Sequence, residues 1–480
     1  MEIKLYNTLS RTLEIFKSTK PNHVDMYACG ITVQDYSHIG HARQAIVFDV
    51  IRKFLEFAGY SVTYVRNFTD IDDKIIAKAI TQGKTATEIS EFFIAESSKD
   101  LHSLKVDGAT VEPKVTEHIP DIIAFIQRLI DKGHAYVSNG EVLFDVQSFK
   151  DYGKLSNRKL DDQVSDDVSP NKRNPQDFSL WKPAKPNEPF WDSPWGTGRP
   201  GWHIECSVMS HKYLGETFDI HGGGHDLVFP HHENEIAQSE ACTGKPFANY
   251  WIHNGLVMVN GQKMSKSLGN FYTIKDAVAK FPVDVIRYVV LSHNYSTAID
   301  FSEDIFLNAR KRTHYFYKSL AQMDSIAGLQ GKDENLLCDI ITLLTSGFND
   351  AMCDNFNTAR VVALWSDSFK AMNDFITDKK NKPADKAFTV REFLKAFRIQ
   401  AKLMRLFDEA PIEFLTAMKH SVIAQNGITE AQIQTKITER TEARKNKDFA
   451  RSDAIRDELA SMKIALLDTP NGTEWDVIFD

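Results

Sequence analysis

The chain has 480 residues, about three times the ~150 of a typical domain, so two to four domains are expected. At 42% hydrophobic and 25% charged residues it has the composition of a soluble globular protein. A net charge of −8 argues against indiscriminate coating of nucleic acid, while leaving room for a local basic face.

The opening "MEIKLYNTLSRTLEIF" lacks a charged head followed by an apolar core, so it does not read as a signal peptide. No stretch approaches the ~20 apolar residues of a membrane span. The expectation is a soluble, cytoplasmic protein without membrane contact. The cysteines are Cys29, Cys206, Cys242, Cys338 and Cys353, an odd and sparse set unlike a disulfide framework. They read as free thiols, with one or two available as metal ligands.

Residues 24–33, "VDMYACGITV", predict a buried strand that ends in a glycine turn. Residues 41–58 carry Ile46, Val47, Val50, Ile51, Phe54 and Leu55 at helical spacing, and Gly59 follows as a stop. "SVTYVRNF" (61–68) predicts a second strand. The three make a β–α–β unit with parallel strands, so the first half reads as a doubly wound α/β domain. Ligands in such sheets bind beyond the C-terminal strand ends, where Cys29, His38 and "NFTDIDD" (67–73) fall.

Residues 86–133 predict helices with an apolar stripe of Phe92, Phe93, Leu101 and Leu104. The tract 156–200, polar and rich in proline, asparagine and glycine, reads as a long loop or insertion. The α/β pattern resumes over 201–270. From about 303 the pattern is helical, and "LLDTPNGTEWDVIF" at the end predicts a small hairpin.

Three stretches carry candidate chemistry. "DYSHIGHAR" (35–43) places His38 and His41 around Gly40 at a strand-to-helix turn. A helix N-terminus attracts anions, two histidines add donors for phosphate oxygens, and Gly40 leaves room for a flat base. "KMSKS" (263–267) offers Lys263, Ser265, Lys266 and Ser267 as point charges and hydroxyls for a polyphosphate. In "FPHHENE" (229–235), His231 and Glu235 lie four apart on one helical face and can share a metal. His232 and Glu233 offer rival registers that periodicity does not resolve.

The pairing of "HIGH" with "KMSKS" resembles the signature of class I aminoacyl-tRNA synthetases. With "YACGITVQDYSHIGHAR", "NFTDIDDKI", "WDSPWGTGRPGWHIECS", "FDIHGGGHDLVFPHHENEIAQSEA" and "KMSKSLGNF", the chain resembles the cysteinyl-tRNA synthetase family. The likeness extends to "AMCDNFNTARV" (351–361) and the tail "EARKNKDFARSDAIRDEL" (442–459). "MCDNFNT" departs from it, with Cys353 and Asn355 where a more acidic run is expected.

The resemblance implies a Rossmann-type parallel sheet in a catalytic domain over 1–302, with a connective insertion about 110–200. A helical domain over 303–420 and an anticodon-binding region over 421–480 would follow. It implies one zinc ion on Cys29, Cys206, His231 and Glu235, which selects the thiol of the amino acid. Gly30, Thr69, Trp202 and His221 would line the cysteine pocket. His38, Gly40, His41, Asp226, Lys263, Ser265, Lys266 and Ser267 would bind ATP with Mg²⁺. Of these, His38, His41, Lys263 and Lys266 would serve catalysis. The implied partners are L-cysteine, ATP and tRNA(Cys), and a monomer is expected. The basic stretches 440–451 and Arg310–Lys311–Arg312 would touch the RNA backbone. Two other readings share parts of this pattern: the cysteine ligase of mycothiol synthesis, and a non-catalytic tRNA-binding paralogue.

Overall fold

The computed structural model describes residues 1–158, 169–263, 272–331, 338–380, 382–469 and 472–479, with the backbone alone for Lys263 and Cys338. Two compact units interleave along the chain. The first comprises Met1–Val283, Val290–Phe301 and Ser346–Ala363; the second comprises Asp284–Val289, Ser302–Thr345 and Leu364–Asp480.

The first unit opens with an antiparallel pair, β1 (Lys4–Asn7) and β2 (Thr12–Ile15). β3 (His23–Thr32), α1 (Ile39–Phe57) and β4 (Ser61–Thr69) then form the expected β–α–β unit, with β3 and β4 parallel. Val24 through Cys29 are all buried, as in a strand covered on both faces. The apolar side of α1 packs inward, and Gly59 after it adopts a φ of 100° that suits glycine.

Three helices follow: α2 (Asp73–Gln82), α3 (Ala86–Ser103) and α4 (Ile119–Asp131). On α3 the expected stripe is corrected at one position. Phe93 and Leu101 are buried and so is Leu104 just beyond, but Phe92 is 49% exposed. Neighbouring helical residues point about 100° apart, so Phe92 and Phe93 cannot both face one core.

The insertion is more ordered than its composition predicts. β5 (Ala135–Ser138), β6 (Glu141–Phe144), β7 (Phe178–Pro183) and β8 (Gly198–Pro200) form one antiparallel sheet in that order. Two of its strands come from the tract read as a loop. Phe178, Leu180 and Trp181 are buried, and three large apolar side chains within four residues suffice to anchor a strand. Residues 159–168 of that tract lie outside the described residues.

α5 (Trp202–Leu214), β9 (Phe218–Gly224), α6 (Glu233–Thr243) and β10 (Ala248–Asn254) complete the α/β layer. The central sheet has the order β10–β9–β3–β4, and every neighbouring pair is parallel. β4 extends it on one side of β3, and β9 with β10 on the other. The switch point at the C-terminal ends of β3 and β9 is where such sheets open a crevice. β11 (Val257–Val259), β12 (Gln262–Lys263) and β13 (Ile299–Asp300) form a smaller sheet, and α7 (Ile274–Lys280) lies between the last two in sequence.

The second unit is helical except for one hairpin, β14 (Ile464–Thr469) with β15 (Gly472–Val477), at the predicted place. An aromatic core joins Phe316, Trp365, Phe369, Phe397 and Phe407. A small separate cluster of Ile433, Ile437, Ile455, Leu459 and Ile464 holds the C-terminal helices to the hairpin. Trp475 is partly buried against that cluster, with the Lys419 ammonium 4.9 Å from its ring.

Not every side chain of the two basic stretches is available to an RNA backbone. Arg310 is buried, while Lys311 and Arg312 are exposed. Arg440 is also buried and grips Asp468 with two hydrogen bonds of 2.8 and 3.0 Å, and Arg444 adds a third at 2.7 Å. Part of that positive charge therefore braces the hairpin. Among the described residues, no helix is long and apolar enough to cross a membrane.

Candidate active site and metal centre

The site is built at the end of β3. Its pairing with β4 slips between Ala28 and Ile31, so Cys29 and Gly30 sit on a bulge that re-aims the Cys29 side chain. Only glycine fits at position 30, because a Cβ there would lie 1.6 Å from the Asn67 carbonyl oxygen. The Gly30 N–H donates to Asn67 Oδ1 at 2.9 Å, and the Tyr27 hydroxyl donates to the same oxygen at 3.1 Å.

Cys29 meets Cys206 from α5, His231 from the turn before α6, and Glu235 from α6. Their ligand atoms lie within 4.8 Å of one another. All four are at most 3% exposed. The sulfurs are 3.6 Å apart, Cys29 Sγ is 3.2 Å from Glu235 Oε1, and His231 Nε2 is 3.0 Å from the same oxygen. Tetrahedral zinc with Zn–S bonds of about 2.3 Å holds two sulfurs about 3.8 Å apart, so the donor set fits the metal.

The charges point the same way. Burial opposes ionisation of Cys206, but the Cys29 hydrogen bond and His231 bring its thiol down to about 6. Burial and Cys206 push Cys29 up. Burial also works against a charged His231, yet Glu235 outweighs it and raises His231 to about 10. Glu235, opposed by burial but faced by His221 and His231, stays well below the usual carboxylate range. Two anions thus face one imidazolium in a dry site, and a divalent cation held there would take the place of the protons on Cys29 and His231, leaving the net charge of the site unchanged.

The rival register is settled in part by hydrogen bonds. Glu233 accepts from the backbone N–H groups of Gly153, Leu155 and Ser156 at 3.0, 3.4 and 2.7 Å, which commits it to shaping that turn. His232 pairs its Nδ1 with His253 Nε2 at 2.8 Å, and it also lies in a second grouping with Cys29 and His221.

The other expected pocket residues surround this cluster. His221 is fully buried, 2.8 Å from Glu235 Oε2, and stacked on Trp251 at 4.3 Å. Thr69 donates to Glu205 Oε2 at 2.7 Å. Trp202 is 39% exposed, with its ring 4.2 Å from that of His231, so it faces the crevice as no core tryptophan would.

A cavity of about 420 Å³ opens beside the cluster. Gly30, His38, Gly40, His41, Trp202 and Asp226 are among its lining residues, and Asp226 is exposed. His38 caps α1: its Nδ1 accepts from the Gly40 N–H at 3.1 Å, and His41 Nδ1 accepts from the His38 N–H at 3.3 Å. The rings stack 3.6 Å apart. Burial and the His38 charge hold His41 well below its ordinary value. Its Nδ1 is an acceptor, so the neutral ring carries its proton on Nε2 and offers a neutral donor. The side chain of Lys263, and Ser265, Lys266 and Ser267 altogether, lie outside the described residues.

Several residues of the site escaped sequence reasoning. Arg43 of α1 is fully buried and donates to the carbonyls of Gly255 and Leu256 at 2.8 and 2.9 Å, of Tyr295 at 2.9 Å, and of Thr297. It thereby fixes the chain that borders the cavity. His203 Nδ1 lies 3.0 Å from His231 Nδ1. Glu205, next to Cys206, is buried, and burial pushes its carboxyl well up. "GWHIECS" holds two of these three, but nothing in its spacing separates them from core residues.

Residues 15–311 match the family model described as tRNA synthetases class I (C) catalytic domain. The "Cysteine--tRNA ligase" of Geobacter metallireducens is 48% identical over 99% of this chain and 100% of its own length. That of Thermococcus onnurineus is 46% identical over 99% of both chains. The chain belongs to the cysteine–tRNA ligase family. The fold agrees with this family's class. Methionyl-tRNA synthetase of Mycobacterium tuberculosis in complex with methionyl-adenylate superposes with a TM-score of 0.60 at 15% identity, over 85% of this chain and 95% of that one. A putative arginyl-tRNA synthetase from Campylobacter jejuni gives 0.55 at 13% identity, over 82% and 95%.

Proposed function

We propose that the chain activates L-cysteine with ATP and transfers the cysteinyl group to the terminal adenosine of tRNA(Cys). The cysteine carboxylate attacks the α-phosphate, and pyrophosphate leaves. The acyl group then passes from the adenylate to a ribose hydroxyl. The observation that carries this reading is the buried Cys29–Cys206–His231–Glu235 cluster opening beside a cavity rimmed by the two histidines of "HIGH". Full-length relatives at 48% identity favour it over an amino-sugar ligase or a non-catalytic paralogue.

Zinc held by those four residues would supply a soft Lewis acid that takes a thiolate in preference to a hydroxyl. An apolar pocket alone separates substrates differing by one methylene by only about 1–3 kcal/mol. The chain's own residues do the rest. Gly30, Thr69, Trp202 and His221 shape the cysteine pocket. His38 and His41 donate to phosphate oxygens, Gly40 admits the nucleotide, and Asp226 accepts from the ribose. Lys263, Ser265, Lys266 and Ser267 neutralise the charge that grows on the phosphates, accompanied by Mg²⁺. Residues 303–420 and 421–480 would carry the tRNA, with a cytoplasmic monomer as the working form.

The test is transfer of radiolabelled cysteine to bulk tRNA with ATP and Mg²⁺, with serine in parallel. Cysteine retained on tRNA, without serine, is the expected result. Failure of both charging and cysteine-dependent ATP–pyrophosphate exchange overturns the reading.

A further inference from the structure

The chain leaving the Lys-Met-Ser-Lys-Ser stretch re-enters the described residues at Tyr272. From there it docks directly onto the residues that lead into "HIGH". The Ile39 N–H donates to the Tyr272 carbonyl at 3.1 Å, and the Ile274 N–H donates to the Ser37 carbonyl at 2.9 Å. His38 and Thr273 form an isolated antiparallel bridge. Thr273 and Asp276 then cap α7 reciprocally.

One side chain from this junction reaches a third element. Lys275 forms an ion pair with Glu96 of α3, and its ammonium sits 4.2 Å from the centre of the Tyr36 ring. Tyr36 lines the cavity and packs edge-on against Phe93 of α3, with ring centres 5.4 Å apart. Ser37 Oγ donates to Ser97 Oγ on the same helix at 3.1 Å. Glu96 is mostly covered, at 12% exposure, and it also accepts from Lys99 at 2.8 Å.

We infer that Glu96 and Lys275 are positioning residues for the phosphate side of the site: their ion pair fixes the segment from Tyr272 to Asp276 against Tyr36 and the turn bearing His38. The inference rests on the function proposed above. The Lys275 end of the pair is 42% exposed, and an ion pair open to solvent on one side contributes little to stability. Its place gives it leverage over rate. It holds residues 272–276 against the turn bearing His38, whose ring must meet the phosphates, and a misplacement of about 1 Å in such a group can cost 100-fold. The Tyr36 ring adds attraction for a cation of either lysine or arginine type.

The test compares Lys275→Met, Glu96→Gln and Lys275→Arg with the unmodified chain in cysteine-dependent ATP–pyrophosphate exchange. The expected result is a kcat about tenfold lower for the first two. The cysteine KM, the zinc content and the thermal midpoint stay at parental values, and Lys275→Arg retains most of kcat. Exchange rates within about twofold of the parent for Lys275→Met and Glu96→Gln overturn the inference while leaving the function intact. A fall in kcat accompanied by a lower midpoint and a raised cysteine KM also overturns it, as the mark of a merely structural pair. Absence of both exchange and tRNA charging in the unmodified chain instead removes the proposed function itself.

Discussion

The metal cluster and the cavity beside it sit within one unit, yet they are made in opposite ways. The cluster is dry: its four donors are at most 3% exposed and come from β3, α5, α6 and the turn before α6. The cavity is open, and polar side chains such as Gln34, Asp35, Gln44, Lys74 and Asp226 line it beside glycines and rings. A site that must discriminate sulfur from oxygen benefits from excluding water, because each donor then acts at low dielectric. A site that must admit ATP and release pyrophosphate needs access, and so relies on aimed donors such as His38 and His41. Selection and chemistry are thus given separate surroundings, which makes them separable by mutation.

Cys206→Ser should break the comparison most severely. Losing an outer partner of a metal costs about 10–100-fold in affinity, and loss of a ligand should exceed that. Zinc content and cysteine affinity should collapse while ATP binding persists, as read by metal analysis and nucleotide titration. His41→Ala attacks the other side. Removing one aimed donor costs about 100- to 1000-fold in kcat, here for pyrophosphate exchange, with zinc content unchanged.

His203→Ala sharpens the boundary between the two regions. His203 reaches the candidate metal site through His231, so zinc affinity should fall by about 10–100-fold, measured by competition with a chelator. The smallest effect is expected far from both. Asp468→Asn should leave exchange activity intact and speed amide hydrogen exchange in the β14–β15 hairpin by roughly two- to fivefold at pH 7. The hydrogen bonds from Arg440, Thr473 and Arg444 hold the Asp468 carboxyl well below its ordinary value in the folded chain. Its contribution is therefore complete above the ordinary carboxylate pKa of about 4 and is lost as pH falls toward the folded value. The gap between variant and parent should narrow between about pH 4 and pH 2.

Much of this molecule is legible in its sequence because the signals are local. The β–α–β start, the helical second half and the terminal hairpin follow from periodicity and punctuation. The residues grouped around Cys29 were implied by the family resemblance and by no spacing of their own. The remainder depends on contacts between distant segments. Periodicity could not choose between Glu233 and Glu235, since only the fold brings the turn at 153–156 under the first of them. Phe178, Leu180 and Trp181 were hidden by the polar residues around them. Arg440 read as surface charge because its partner lies 28 residues away.

Arg43 gives the protein a history as well as a shape. Its carbonyl partners lie 212 to 254 residues further along the chain. At roughly 5–20 residues per second, a ribosome needs about 13–50 s to supply the last of them. During synthesis the guanidinium has no acceptors there, and burying it unpaired would be costly. Gly255 and Leu256 supply the first of those acceptors, and Tyr295 and Thr297 complete the set. A nascent chain stalled before Gly255 should therefore hold a β–α–β unit whose Arg43 guanidinium is still hydrated.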